Sequence, residues 1–152
     1  MPMLRKLNLH NIFICEELIL FATDHMETLE SITLTDCYAY DYNGSRPTYL
    51  KDLFDELVKA NSTRLASFEI HSKHLDDPRK MLGLDYGWAG WDPDFLEQVT
   101  KKLKTGAKPF AYGYLDENYG TEYCDFESCQ TALLRGDDER SYKRLMAMIA
   151  SN

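Results

Sequence analysis

The sequence predicts an α/β fold in which one short apolar pattern recurs and builds a small parallel sheet. Three stretches carry apolar residues at positions 1, 4 and 6, and they begin at Leu4, Leu29 and Leu65. The second stretch begins 25 residues after the first, and the third begins 36 residues after the second. Positions 4 and 6 lie two residues apart, so both side chains point to one face of a strand.

This recurrence indicates a short solenoid of the leucine-rich-repeat type, because an apolar signature repeated every roughly 20–50 residues is typical of stacked units. One unit cannot bury its own apolar stripe, whereas stacked neighbours bury a continuous one. We therefore expect residues 6–10, 31–35 and 67–71 to be neighbouring parallel strands. The chain is predicted to be a single domain, 1–152, with repeats near 4–28, 29–64 and 65–106 and an irregular C-terminal cap over 107–152.

A helix is expected after each strand, on the convex side, because parallel neighbours need a crossover connection. The first is predicted over 16–25, with an apolar face formed by Leu18, Ile19, Phe21 and Ala22. The second is predicted over 50–60, with Thr48 as its N-cap and Asn61 as its end.

The C-terminal half is predicted to be less regular. A third helix is expected from Asp92 to about Lys104, ending at Gly106. Alternation over 110–115 indicates a further strand, which would bring the number of parallel strands to about four. A last helix over 138–150 is expected to cap the end of the stack.

Composition narrows the classes of function. The chain has 17 basic and 25 acidic residues, a net charge of -8, which argues against nucleic-acid binding because that needs a basic face. No apolar run reaches the roughly 18 residues of a membrane span, so no membrane partner is expected.

The four cysteines are all expected to be free thiols. Cys15 and Cys37 are predicted to be buried. Cys124 and Cys129 could meet across a short loop.

The run from Leu4 to Ile70 resembles the C-terminal repeats of fungal F-box/leucine-rich-repeat proteins. The phrases EELILFATDHMETLESITLTDC and RGDDERSYKRLMAMI carry the resemblance. In that family the repeats select a client protein, and a separate F-box docks on the adaptor of a ubiquitin ligase. No F-box helices precede Leu4, so the resemblance implies client binding for this chain and does not imply adaptor binding.

The predicted binding surface consists of the strand residues that lie between the core positions. Aligning the three repeats gives three columns of outward side chains. They are Lys6, Ser31 and Ser67 at position 3, Asn8, Thr33 and Glu69 at position 5, and His10, Thr35 and His71 at position 7. Such a polar set is either a contact surface or an ordinary solvated sheet face, since Ser and Thr are common at exposed strand positions.

A glycine-rich aromatic segment provides a second candidate surface. Tyr86, Trp88 and Trp91 could anchor a partner, because Trp and Tyr are enriched at binding hot spots. The alternative is that these rings fold back and cover the third repeat. A weaker candidate is the tyrosine-rich stretch 38–42, expected to be a loop just past a strand end.

Catalytic and metal-binding signatures do not emerge from the sequence. His71 and His74 lie three residues apart, so on a strand they would face opposite sides, and we predict no metal site. No catalytic residues and no cofactor are predicted either, since there is no glycine-rich phosphate loop and no serine or cysteine nucleophile motif.

The sequence therefore predicts a protein-binding repeat module that is not an enzyme, with an unidentified protein client inside the cell. Two alternatives stay open: a truncated repeat remnant with a structural role, and a small α/β enzyme. Self-association is a further expectation, because the first strand has no cap over Leu4, Leu7 and Leu9.

Overall fold

Two β-sheets and the helices that pack on them form the described part of the chain. The structure is a computed structural model, and it describes residues 3–40, 48–82, 92–116, 118–119 and 121–152. The strands are β1 (Lys6–His10), β2 (Phe13–Ile14), β3 (Ser31–Thr35), β4 (Tyr38–Tyr40), β5 (Ser67–His71), β6 (Tyr112–Asp116) and β7 (Thr121–Cys124). The helices are α1 (Glu16–Asp24), α2 (Leu50–Ala60), α3 (Pro78–Met81), α4 (Pro93–Lys104), α5 (Phe126–Arg135) and α6 (Asp137–Ala150).

The first sheet, sheet A, contains the three predicted strands in the order β1-β3-β5, all parallel. Its register aligns the repeats residue for residue, so that Leu9 lies beside Leu34 and Leu34 beside Ile70. Leu34 is 1% exposed. The predicted strand bounds, their parallel pairing and the inward position of the apolar residues are confirmed.

The second sheet, sheet B, has the order β2-β4-β6-β7. β4 pairs in parallel with β2 and with β6, and β7 closes the sheet as an antiparallel neighbour of β6. The strand predicted near 110–115 therefore exists as β6, but its expected place as a fourth strand of the first sheet is wrong. β6 lies beside β4 instead, where the Ala39 N–H donates to the Ala111 carbonyl at 3.0 Å. In this position Tyr112 of β6 is buried, with 1% of its surface exposed.

Two left-handed residues carry the chain from sheet A to sheet B. Asn11 follows β1 with φ 57°, and Asp36 follows β3 with φ 50°. Asn and Asp tolerate this conformation better than most residues because their short polar side chains can bond locally. The same left-handed turn after β1 and after β3 leads into β2 and β4, which pair side by side.

The first two helices follow their strands as predicted, with two corrections at the side-chain level. Ile19 and Ala22 of α1 are buried, but Phe21 is 43% exposed, so its assignment to the core face is wrong. The N-cap of α2 is Tyr49, whose N–H donates to Asp52 Oδ2 at 3.2 Å. The prediction of Thr48 as N-cap is wrong, because Thr48 lies one residue earlier, where its N–H donates to the Tyr40 carbonyl at 2.9 Å. Asn61 ends α2 in the left-handed region at φ 48°.

The C-terminal helices close the apolar core around the end of sheet A. The expected helix bounds near 92–104 and 138–150 are confirmed by α4 and α6. In the core, Phe54 of α2 lies 5.6 Å from Phe68 of β5, 5.4 Å from Phe110 and 5.5 Å from Tyr142 of α6, measured between ring centroids. Rings at these separations attract one another beyond their area of contact. The predicted capping helix thus packs against the last strand of sheet A and against α2.

Candidate functional site

The nine outward side chains of sheet A lie in three columns across the three strands. Lys6 lies beside Ser31 and Ser31 beside Ser67; the two other columns are aligned in the same way. Neighbouring members are about one strand spacing apart, ~4.8 Å. We call these nine residues the outer face. They are Lys6, Asn8, His10, Ser31, Thr33, Thr35, Ser67, Glu69 and His71.

Exposure varies across the outer face. The members on β1 are exposed, those on β3 are partly exposed, and on β5 Glu69 and His71 are exposed while Ser67 is partly exposed. The central column runs through Thr33, which carries a hydroxyl and no charge. The outer face therefore offers hydrogen-bonding groups along its middle strand and charged groups at its two sides.

A buried carboxylate organises the carboxyl end of the outer face. Asp36 is 6% exposed, and its Oδ1 accepts the Lys73 backbone N–H at 2.9 Å. Its Oδ2 lies 3.7 Å from His10 Nε2 and 3.6 Å from Lys73 Nζ. Asp36 N–H donates to the His71 carbonyl at 2.9 Å. One aspartate thus connects the ends of β1, β3 and β5 and places the side chains of His10 and Lys73 beside it.

A small cleft continues from this end of the outer face. It has a volume of about 100 Å³ and lies between the end of β5 and the segment 108–111. His71, which belongs to the outer face, also lines the cleft, together with Cys37, Ile70, Ser72, Leu75, Asp76, Lys108, Pro109, Phe110 and Ala111. The Ser72 hydroxyl is buried and has no hydrogen-bond partner in the described part of the chain. The volume is below the roughly 300–1,000 Å³ of small-molecule pockets and suits a single side chain.

Burial shifts the pKa of two ionisable groups at this end, Cys37 and His74. Burial raises the pKa of the Cys37 thiol, and its Sγ lies 3.6 Å from the Leu9 carbonyl and 3.5 Å from the Thr35 carbonyl. This direction is the opposite of the one that activates a cysteine nucleophile. Burial also lowers the pKa of His74, whose ring lies 6.1 Å from the ring of Tyr38.

The two histidines considered for a metal site have separate environments. His71 Nε2 lies 3.4 Å from Glu69 Oε2 at the exposed surface, whereas His74 is partly buried against Tyr38. Among the described residues, no cluster of three or more His, Cys, Asp or Glu side chains could hold a metal ion.

The aromatic candidates fall into two groups. Tyr86, Trp88 and Trp91 lie outside the described residues. Tyr38 and Tyr40 belong to β4, and Tyr38 is 3% exposed, so the expectation of a loop surface there is wrong for these residues. Burial raises the pKa of Tyr38 to about 12. Residues 41 and 42 lie outside the described part.

The site residues that the sequence reasoning missed are Asp36, Ser72 and Lys73. Asp36 follows the motif directly, and an Asp at a strand end is a common turn former, so its position was a usable signal. Its contacts with His10 and Lys73 connect the end of β3 with the ends of β1 and β5.

Comparison with known proteins gives no relative: no protein-family model, no curated protein and no solved structure matches the chain. In the described residues, no helix combines the length and the apolar character needed to cross a membrane.

Proposed function

We propose that this chain is a protein-binding module of the leucine-rich-repeat type and that its outer face contacts a protein client. The observation that carries the proposal is the register of sheet A, which aligns nine outward side chains in three columns. A flat array of hydroxyl, amide and imidazole groups suits an extended or helical protein segment better than a small ligand. On the resemblance to F-box/leucine-rich-repeat proteins, the client would be a protein selected for ubiquitin ligation.

Charge supports a protein client over a nucleic acid. The chain has a net charge of -8, and the outer face combines Lys6 and two histidines with Glu69. Phosphate binding needs a clear excess of Lys and Arg on one face. We place the activity inside the cell, because the four free cysteines suit a reducing compartment.

The test is a charge insertion in the middle of the outer face. Thr33→Lys puts a long cation on the central strand, where a packed partner would have to desolvate it. The matched control is Thr121→Lys, the same change on the exposed position of β7 in sheet B. Circular dichroism and thermal unfolding verify that both variants are folded, and affinity capture from cell extract with quantitative mass spectrometry measures the bound proteins.

We expect Thr33→Lys to lose a defined set of partners that Thr121→Lys retains. The double variant Trp88→Ala and Trp91→Ala is expected to retain them as well. If Thr33→Lys keeps every partner and the tryptophan variant loses them, the outer face is the wrong surface and the segment around Tyr86, Trp88 and Trp91 is the binding site.

A structural role through self-assembly is the second candidate, and one observation favours it. Leu7 and Leu9 of β1 are only partly buried, whereas their neighbours Ile32 and Leu34 on β3 are 2% and 1% exposed. Apolar side chains left partly open along an edge strand favour pairing with another chain. This candidate is tested by the oligomeric state, as described in the Discussion.

A further inference from the structure

Two thiols outside the outer face lie close together at the edge of sheet B. Cys124 is the last residue of β7, and Cys129 lies in the first half of α5. Their Sγ atoms are 3.8 Å apart, and both are free thiols. A disulfide requires a separation of about 2.05 Å, so the two sulfurs must approach by a further ~1.8 Å to bond.

The two thiols differ in accessibility. Cys124 is partly exposed, whereas Cys129 is 0% exposed. Cys129 Sγ accepts the Tyr112 N–H at 3.2 Å and donates to the Tyr112 carbonyl at 3.6 Å. Burial raises the pKa of Cys129 well above its ordinary value, with the neighbouring Cys124 as a further cause. An oxidant therefore reaches Cys124 first. Cys129 stays protonated, and its hydrogen bonds to Tyr112 hold its sulfur in place.

We propose that Cys124 and Cys129 form a redox site that takes hydrogen peroxide and closes to an intramolecular disulfide. In the first step the Cys124 sulfur attacks the O–O bond of the peroxide, which gives Cys124 sulfenic acid and releases water. In the second step the Cys129 sulfur attacks the Cys124 sulfur, the S–O bond breaks, and the departing hydroxide leaves as water with the Cys129 proton. Two thiols lose two electrons and one peroxide becomes two waters.

Closure of the disulfide would change the hydrogen bonds of Tyr112, a residue of the buried core. The disulfide removes the proton that Cys129 donates to the Tyr112 carbonyl, and it moves the sulfur that accepts the Tyr112 N–H. The same residue donates its hydroxyl to Asp138 at the start of α6, and it accepts the Leu50 N–H at the start of α2. The redox state of the pair therefore bears on the contact between sheet B and two helices.

The test is a peroxide titration of the whole chain, followed by alkylation of the remaining thiols, trypsin digestion and mass spectrometry. Residues 109–134 contain no Lys or Arg, and the Lys108–Pro109 bond resists trypsin, so Cys124 and Cys129 stay together on the peptide 105–135. Cys15 and Cys37 stay together on the peptide 7–51, which serves as an internal control. The prediction of a buried Cys15 is wrong, because Cys15 is exposed, whereas Cys37 is buried as expected. The Cys15 and Cys37 pair therefore matches the first pair in number of thiols but has one exposed and one buried member.

We expect the peptide 105–135 to lose two hydrogen atoms and both alkylation sites at peroxide doses that leave the peptide 7–51 alkylated. Dithiothreitol should restore both sites. Cys124→Ser should prevent the mass loss and leave Cys129 fully alkylated after unfolding. This variant changes the half-exposed thiol, so the buried hydrogen bonds of Cys129 to Tyr112 are kept. Two outcomes overturn the proposal: both thiols of 105–135 survive doses that oxidise Cys15, or Cys124 proceeds to sulfinic acid while Cys129 stays reduced.

Discussion

Leu34 and Thr33 are neighbours in β3 with opposite surroundings. Leu34 is 1% exposed and lies between Leu9 and Ile70, whereas Thr33 points to the outer face between Asn8 and Glu69. Leu34→Ala should lower the free energy of unfolding by roughly 2–5 kcal/mol, because it removes buried methyl groups and leaves a cavity. Thr33→Ala should lower it by less than about 1 kcal/mol.

Chemical denaturation of the two variants measures both values. Equal and small losses would contradict the inward position of Leu34, because a strand shifted by one residue would exchange the two faces.

A second residue-scale prediction concerns Asp138, which is 1% exposed in a polar contact between helices. Its Oδ1 accepts the Lys51 N–H at 2.9 Å, and its Oδ2 accepts the Tyr112 hydroxyl at 2.7 Å. Burial raises the pKa of Asp138 above the ordinary value of 3.8, in spite of these two hydrogen bonds. Burial also raises the pKa of Tyr112, with Asp138 as a further cause.

The sign of the pH effect follows from linkage. Because the carboxyl binds its proton more tightly in the folded state, its stabilising contribution is complete below pH 3.8 and declines as the pH rises through the folded-state pKa. Asp138→Asn keeps a polar side chain of the same size and removes this titration. Relative to the variant, the natural chain should lose stability as the pH rises above 3.8 and through the raised folded-state pKa of Asp138. Urea unfolding at several pH values measures the difference, and parallel stability curves for the two proteins would contradict the expected shift.

At the scale of the elements, Asp36 fixes the ends of the parallel strands. It combines a left-handed φ of 50° with the side-chain bond to Lys73 N–H at 2.9 Å. Asp36→Ala should cost about 1–3 kcal/mol, because Ala fits the left-handed region poorly and leaves the Lys73 N–H without its acceptor. Asp36→Asn keeps the acceptor oxygen and the tolerance for positive φ, so we expect a loss under about 1 kcal/mol.

Thermal and chemical unfolding of both variants measure this difference. Similar losses for Asn and Ala would mean that the side-chain contacts with Lys73 and His10, rather than the backbone bond and the turn, stabilise this end of sheet A. That outcome is unexpected, because the Lys73 side chain is 65% exposed and solvent screens its charge, and the His10 side chain is 67% exposed.

At the scale of the whole molecule, three apolar side chains before β1 and in α1 are exposed. Met3 is 59% exposed, Leu20 56% and Phe21 43%. If this side mediates self-assembly, the weight-average mass in sedimentation equilibrium should rise with concentration. Met3→Glu combined with Leu20→Glu should abolish the rise, because the introduced carboxylates would have to be desolvated on association.

The control for self-assembly is Tyr119→Glu, which changes a side chain that is 81% exposed near the β6–β7 turn. It should leave the concentration dependence unchanged. A natural chain that stays monomeric at all concentrations would exclude self-assembly and leave the client-binding proposal intact, so the two proposed functions are separable.

The sequence by itself determined the features that depend on short-range patterns. The apolar residues at positions 1, 4 and 6 predicted the bounds, pairing and register of β1, β3 and β5. Asn61 and Gly106 marked helix ends because their backbone preferences are local. The three columns of the outer face were predictable for the same reason, since a strand's period of two fixes which residues face outward.

Only the tertiary structure decided the contacts between residues far apart in sequence. β6 lies beside β4 because its backbone bonds and the burial of Tyr112 are satisfied there, and no local pattern distinguishes sheet B from sheet A. The carboxylate of Asp138 reaches Lys51, 87 residues away, and Asp36 reaches Lys73, 37 residues away. Such bonds depend on where the packed core places each backbone N–H, because a buried donor must find an acceptor wherever the fold provides one.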